Sequence, residues 1–437
     1  MKKFYSFGGI LLSIAAIIFA FFYSLHVNLT ADEAFTIALI NHSPWDLIKT
    51  DALDVHPPLS YLIYKIIAWP ITHFTAYNNL EIVYLRVWNF IFGLISIFFL
   101  SKIIKLYQKG VNYYMLSAFI ILSQITINGL TLRMYQIATL FLILELYMLL
   151  KYAKVRQQHY LWLTLLFASL SAYSHYFAAI FAGLILFYYW LTRCFQKDHD
   201  LIIKLPLLAI GFVISYLPWI FIAVKQITSV KKSYWILPDE SWNAVFQQSF
   251  NLNLLPMYTY LLLGLLLLQI IFWWRNYAHP FVLIMFVTLL SYLTAYLIGV
   301  VEILNNRPIL IDRYLYPMFF ITLFFILMSL SDLKIASYLK SLIYLTIIGC
   351  ALCIIPSQVN QLSKFSPVTS TNIFTKSIIG SKVLTPNNYG TTVNVLNSAA
   401  KNPQYTYWIP RNHYEFGIKL VQSPKLFKTV YPNIKPY

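Results

Sequence analysis

The sequence predicts an all-α polytopic membrane protein with a large first external loop and a small α/β unit outside the membrane at its C-terminal end. Three observations carry that expectation. Hydrophobic residues make up 59% of the 437-residue chain and charged residues 11%, a departure from soluble averages in both directions. Apolar runs long enough to cross a bilayer recur along most of the chain. After about residue 356 the composition turns polar, with Ser, Asn, Lys and Pro frequent. The chain therefore divides into a transmembrane part, 1–356, and an extracytoplasmic tail, 357–437.

Lys2 and Lys3 precede an apolar run over about 4–25. No small-residue cleavage motif follows it and many more apolar runs do, which makes it a first span rather than a signal peptide. Further spans are expected at about 87–106, 112–130, 134–150, 160–175, 176–192, 205–223, 257–273, 280–300, 314–330 and 341–356. The run 59–72 either crosses the bilayer or lies along its outer surface, and charge decides between the two. With 59–72 on the surface, fourteen Lys and Arg residues between Lys2 and Lys340 fall at cytoplasmic helix ends, beside only Asp198, Asp200 and Asp332. With 59–72 crossing, every later cluster turns outward, against the positive-inside rule. The reading is about eleven spans, with the N-terminus in the cytoplasm and the C-terminus outside. The net charge of +17 has the same membrane explanation and needs no nucleic acid.

In the tail, 382–385 and 405–409 read as strands and 391–400 as a helix. No phosphate-binding glycine motif occurs anywhere, and glycine is only 13 of 437 residues. Cys194 falls near a helix end; Cys350 and Cys353 lie in an apolar helix, where their spacing indicates packing rather than redox chemistry.

The stretch that reads as a site is the first loop, about 26–86. Asp32 and Glu33 stand side by side just after the first apolar run, in a chain with only 15 acidic residues. The loop continues through Asp51 and Asp54 to Val55-His56-Pro57-Pro58-Leu59, where two prolines break the chain before the next helix. The expected topology collects Asp32, Glu33, His56, Arg86, Arg133, His175, Glu302, Arg307, Asp312 and Arg313 at the outer face. Each has a plainer explanation: Arg133 snorkels at a helix end, His175 is a polar turn residue, and Arg313 pairs with Asp312. Glu145 falls inside a span, where an ionisable group is costly; it is either structural or lines a cavity. Lys225, Lys231 and Lys232 with Trp235 and Trp242 read as an interfacial segment anchored by tryptophan.

Outward-facing candidates without a phosphate loop argue against nucleotide substrates and for a substrate carried in the membrane. Arg133, Arg307 and Arg313 suit a phosphate, and a carboxylate suits a base. A glycosyl phosphate already carries a good leaving group, so such a site needs cations for the departing phosphate and one base, with no general acid.

The ordered set Ala31-Asp32-Glu33-Ala34, His56-Pro57-Pro58-Leu59, Arg86 opening one span, Arg133-Met134-Tyr135 opening another, His175-Tyr176-Phe177, and Arg313-Tyr314 with Pro317 resembles the GT-C glycosyltransferases. It is most similar to the branch that holds protein O-mannosyltransferases and bacterial lipid A aminoarabinose transferases, over roughly residues 5–330. The resemblance implies inverting transfer of a sugar from a polyprenyl-phosphate carrier to a glycan, lipid or protein acceptor, outside a bacterial cytoplasmic membrane. Asp32 matches the base that takes the acceptor proton; Glu33 would orient it or help hold a divalent metal ion. His56 and Arg313 match positions that approach the carrier phosphate, where Arg133 and Arg307 are expected to join them. Tyr135, His175, Glu302 and Tyr314 are the expected substrate-binding residues. The family often carries a further acidic residue near Arg133, whereas Arg133-Met134-Tyr135-Gln136 has none. The competing readings are a transporter or flippase of lipid-linked sugars, disfavoured by the lack of a clear internal repeat, and a polymerase or ligase acting on the same lipids.

Overall fold

A computed structural model describes residues 2–26, 30–74, 80–107, 111–124, 131–229, 280–305, 312–329, 338–339, 341–349, 389–401, 405–421 and 423–436. Its first part is a bundle of helices: α1 (Lys2–His26), α2 (Ala31–Ile40), α3 (Pro44–Asp51), α4 (Leu59–Phe74), α5 (Leu80–Tyr107), α6 (Tyr113–Gln124), α7 (Tyr135–Val155), α8 (His159–Ser174), α9 (Tyr176–Phe195), α10 (His199–Ser229), α11 (Pro280–Asn305) and α12 (Tyr316–Ser329), the last entered through a 3₁₀ turn at Asp312–Leu315. Five of these contain stretches long and apolar enough to cross a membrane: Ile82–Tyr107, Tyr135–Val155, Tyr176–Phe195, His199–Gln226 and Val282–Val301. The protein is an integral membrane protein. The expected span at 257–273 and the strand at 382–385 lie outside the described residues, and only 341–349 of the expected span at 341–356 is described.

Burial separates the centre of the bundle from its rim. In the most apolar stretch of α7, 67% of the residues are buried, against 17% in that of α10, whose outer face shows Ile203, Val213, Ile214 and Phe221. A helix that is apolar all round and covered by neighbours belongs in the interior, whereas an exposed apolar face suits lipid. Around α7 pack α5, α8, α9 and α12, while α6 bridges α1 and α12. The run read at 59–72 is the 16-residue helix α4, shorter than the roughly 20 residues that crossing a bilayer takes.

The first loop is built, not irregular. Thr30 caps α2 through a capping box: its hydroxyl accepts from the Glu33 N–H at 3.2 Å, and the Thr30 N–H donates back to Glu33 Oε2 at 3.0 Å. Ser43 caps α3, with Pro44 at its first position. Thr36 then pins α2 inward, its hydroxyl lying 2.9 Å from the carbonyl of Leu132 in the segment that leads into α7.

The tail folds onto this loop. It contains α13 (Tyr389–Lys401), β1 (Tyr407–Ile409), α14 (Arg411–Val421), α15 (Pro424–Val430) and β2 (Ile434–Pro436). The helix read at 391–400 and the strand at 405–409 correspond to α13 and β1; β1 finds its partner in β2, in a parallel pair with Trp408 opposite Lys435. Packing of α13 and α15 against α2, and a hydrogen bond from Asn41 Nδ2 to the carbonyl of Ala400 at 2.8 Å, seat the tail beside the helix that carries Asp32.

Candidate active site

Adjacent residues on a helix project about 100° apart, and the Asp32–Glu33 pair divides accordingly. Glu33 is fully buried and faces Arg86 of α5, which grips it at two points: Nε to Oε1 at 2.9 Å and Nη2 to Oε2 at 2.8 Å. The Leu132 N–H donates to the same Oε1 at 3.2 Å. With the Thr30 bonds, both carboxylate oxygens are engaged by donors of the protein itself. Glu33 thus ties α2 to α5 and to residues 131–134.

That tie positions Arg133. Held between the Glu33 contact to Leu132 and the start of α7, Arg133 is buried, not snorkelling, with Nη1 donating to the Tyr61 hydroxyl at 3.0 Å. Its Nη2 stands 3.7 Å from Asp32 Oδ1. From 281 residues further along the chain, Arg313 in the 3₁₀ turn donates from Nη1 to Asp32 Oδ2 at 2.7 Å. Asp32 is therefore a partner of Arg313. The side chain of Asp312 lies outside the described residues, as do Arg307 and the side chain of Glu302.

Asp32 remains reachable: its side chain is 30% exposed and that of Arg313 25%. Burial pushes the Asp32 carboxyl up, but the charges of Arg133 and Arg313 and the hydrogen bond from Arg313 outweigh it and hold the group below the usual carboxylate range. The carboxylate is ionised.

Beside the arginines stands a box of rings. His175, between α8 and α9, lies 5.3 Å from both Tyr135 and Tyr314, centre to centre, and 6.0 Å from His56 in a stacked arrangement; Phe177 closes the box at 5.5 Å from Tyr314. His175 is buried at the junction of the two helices. Burial, followed by the charges of Arg133 and Arg313, pushes His175 down to about 3. The same burial, with Arg133, His175 and Arg313 adding to it, holds His56 well below the ordinary histidine range. Both imidazoles are neutral at pH 7. The Tyr135 hydroxyl and His175 Nδ1 are buried without a hydrogen-bond partner among the described residues.

Sequence reasoning did not single out Asp51 and Asp54 as site residues. Both carboxylates are buried, and Asp51 Oδ1, Asp51 Oδ2 and Asp54 Oδ2 have no hydrogen-bond partner among the described residues. Burial raises both groups, Asp54 further raises Asp51, and Arg133 works against the rise in each. Tyr61 and Thr36 were missed too. The signals available were the repeated acidic spacing of Asp51 and Asp54 just before His56, and Thr30-x-x-Glu33, a capping-box pattern. Glu145 in α7 is buried, with neither oxygen partnered among the described residues.

A divalent ion does not fit the Asp32–Glu33 pair. Glu33 spends its oxygens on Arg86, Leu132 and Thr30, and Asp32 faces two guanidinium groups that repel a cation. Among the described residues no group of three or more His, Cys, Asp or Glu side chains is arranged to hold a metal ion.

What the arrangement offers is one ionised carboxylate open to a ligand, two arginines at its oxygens, and neutral rings beside them. No family model matches the sequence, and no curated protein does. Among solved structures, the crystal structure of ArnT from Cupriavidus metallidurans in the apo state aligns with a TM-score of 0.54 at 11% identity, over 98% of this chain and 78% of that one. The same protein bound to undecaprenyl phosphate aligns at 12% identity over the same shares, with a TM-score of 0.49. The chain thus has the fold seen in ArnT, over 98% of its own length.

Proposed function

We propose that the protein transfers a sugar from a polyprenyl-phosphate carrier to a hydroxyl acceptor on the outer face of the membrane, with inversion at the anomeric carbon and Asp32 as the base. The observation that carries this reading is the meeting of Asp32 with Arg313 and Arg133, at 2.7 and 3.7 Å, in a place open to a ligand. Arginine matches phosphate geometry through paired donors, and a carboxylate kept ionised is ready to accept a proton. Arg133 and Arg313 take the carrier phosphate, while the neutral His56 stands beside them as a hydrogen-bonding group. Tyr135, His175 and Tyr314 line the space next to the arginines and suit a sugar ring; Arg307 and Glu302 remain members of the site on the sequence reading alone. Glu33 acts by holding Arg86 and the backbone before Arg133. The polar tail, residues 357–437, is read as a small extracytoplasmic domain that borders the acceptor side, because it seats on α2.

The test uses purified protein in liposomes, supplied with polyprenyl-phosphate sugars and candidate acceptors, with released polyprenyl phosphate as the readout. Asp32→Asn keeps size and hydrogen bonding but cannot take the proton, so turnover should fall by roughly 100-fold to 10,000-fold. Full turnover in that variant removes Asp32 as the base. Movement of the lipid across the bilayer without release of polyprenyl phosphate would replace the transferase by a transporter.

A further inference from the structure

We propose that Asp32 and the donor phosphate share Arg133 and Arg313, so that the base is the resting occupant of the anion subsite and hands that subsite to the leaving phosphate during transfer. The inference rests on the proposed transferase reading and adds how its two charged parts are coupled.

The geometry comes first. Arg313 gives Asp32 a direct hydrogen bond from Nη1, and Arg133 presents Nη2 to the other carboxylate oxygen. A guanidinium has five donors; Asp32 accepts from one on Arg313 and stands 3.7 Å from another on Arg133. Arg133 Nη1 goes to Tyr61, and its buried Nε has no hydrogen-bond partner among the described residues. Because Asp32 and Arg313 are the partly exposed members, a phosphate that reaches Arg313 meets it beside Asp32. Glu33, by contrast, faces a different guanidinium, that of Arg86, and takes no part in this exchange.

The charge bookkeeping of the reaction then fits the shared pair. The acceptor oxygen forms its bond to the anomeric carbon as the bond from that carbon to the phosphate oxygen breaks, and the bonding electron pair leaves with the phosphate. The hydroxyl proton goes to Asp32. A glycosyl phosphodiester carries one negative charge, and the monoester released carries about two above its second pKa, while Asp32 goes from charged to neutral. The anionic charge facing the two arginines is the same before and after. They change partner, not total load, which is the condition for stabilising a transition state with little reorganisation.

A consequence follows that a purely structural role for Asp32 does not share. Before turnover the carboxylate competes with phosphate for the same donors, so removing its charge tightens phosphate binding. The experiment measures binding of a short polyprenyl monophosphate, and of the matching neutral polyprenol, to detergent-purified wild type, Asp32→Asn, Asp32→Ser, Arg313→Gln and the Asp32→Asn/Arg313→Gln double variant, without any sugar. Thermal midpoints check that each is folded. The expected result is about ten-fold tighter phosphate binding in both single Asp32 variants, weaker binding in Arg313→Gln, and loss of most of the gain in the double variant, with polyprenol unaffected throughout. Unchanged or weaker binding in a folded Asp32 variant overturns the sharing while leaving the donor class intact. Wild type that binds phosphate no better than polyprenol overturns the donor class itself.

Discussion

Arg86 and Glu33 form a buried two-point ion pair, at 2.9 and 2.8 Å, that joins the second helix to the fifth across 53 residues of sequence. The pair sits one residue from Asp32, yet it does separate work. Taking one partner from a buried pair leaves the other charge uncompensated, at a cost of about 3–5 kcal/mol. Glu33→Ala should therefore lower the thermal midpoint sharply and, by releasing the backbone before Arg133, raise the lipid-donor KM of the protein that still folds. Scanning fluorimetry on purified protein measures it; a normal midpoint with selective loss of turnover would move Glu33 into the chemistry.

Arg313 is expected to govern the donor rather than the acceptor. Its removal deletes a charge-assisted contact to phosphate worth about 2–5 kcal/mol if the contact is desolvated, so Arg313→Ala should raise the apparent KM for the lipid-linked sugar more than that for the acceptor. Lysine keeps the charge and loses the fork, and should restore activity only in part. Steady-state kinetics with each substrate varied decides the point, and an unaltered donor KM in the alanine variant assigns Arg313 to structure.

The two site histidines set an acid limit on stability. Both are held below the ordinary histidine value, so between that value and the folded one the unfolded chain binds protons that the native protein refuses. Their contribution is fully present above about pH 6.5 and is lost as pH falls toward the depressed folded values, with a slope of up to about 1.4 kcal/mol per pH unit for each. His175→Gln should flatten the fall of the thermal midpoint between about pH 6 and pH 4. An identical pH profile in the variant would show that this histidine is not the cause.

Asp51 is kept at a cost. With its oxygens buried and without a hydrogen-bond partner among the described residues, and burial and Asp54 both raising it, the ionised form is disfavoured at neutral pH. A group whose folded pKa is raised destabilises progressively as pH climbs above its unfolded value near 4. Asp51→Asn should raise the thermal midpoint at pH 7.5 and have a smaller effect at pH 5. If turnover falls while the midpoint rises, Asp51 belongs to the functional site, where perturbed groups are tolerated for their chemistry. A lower midpoint at pH 7.5 refutes the expectation.

The sequence alone carried the helical membrane architecture because crossing a bilayer demands apolar runs, and such runs are visible without knowing what packs on them. It also exposed Asp32, Glu33, His56, Arg133, His175 and Arg313, since charge is rare in this chain and stands out against the apolar background. It told Asp32 from Glu33 only through the family resemblance, and it did not show what either carboxylate faces. Their surroundings differ because a helix turns each to another side, one toward Arg86 and one toward arginines 101 and 281 residues further on; the second separation belongs to the Asp32–Arg313 bond. Nor could it show that Asp51 and Asp54 are buried, or that Asn41 is met by Ala400 across 359 residues. Pairing at such separations is decided by the packing of the helices, not by local pattern: a charge in a sequence declares its presence, but its pKa and its partner depend on what tertiary structure brings within a few ångströms of it.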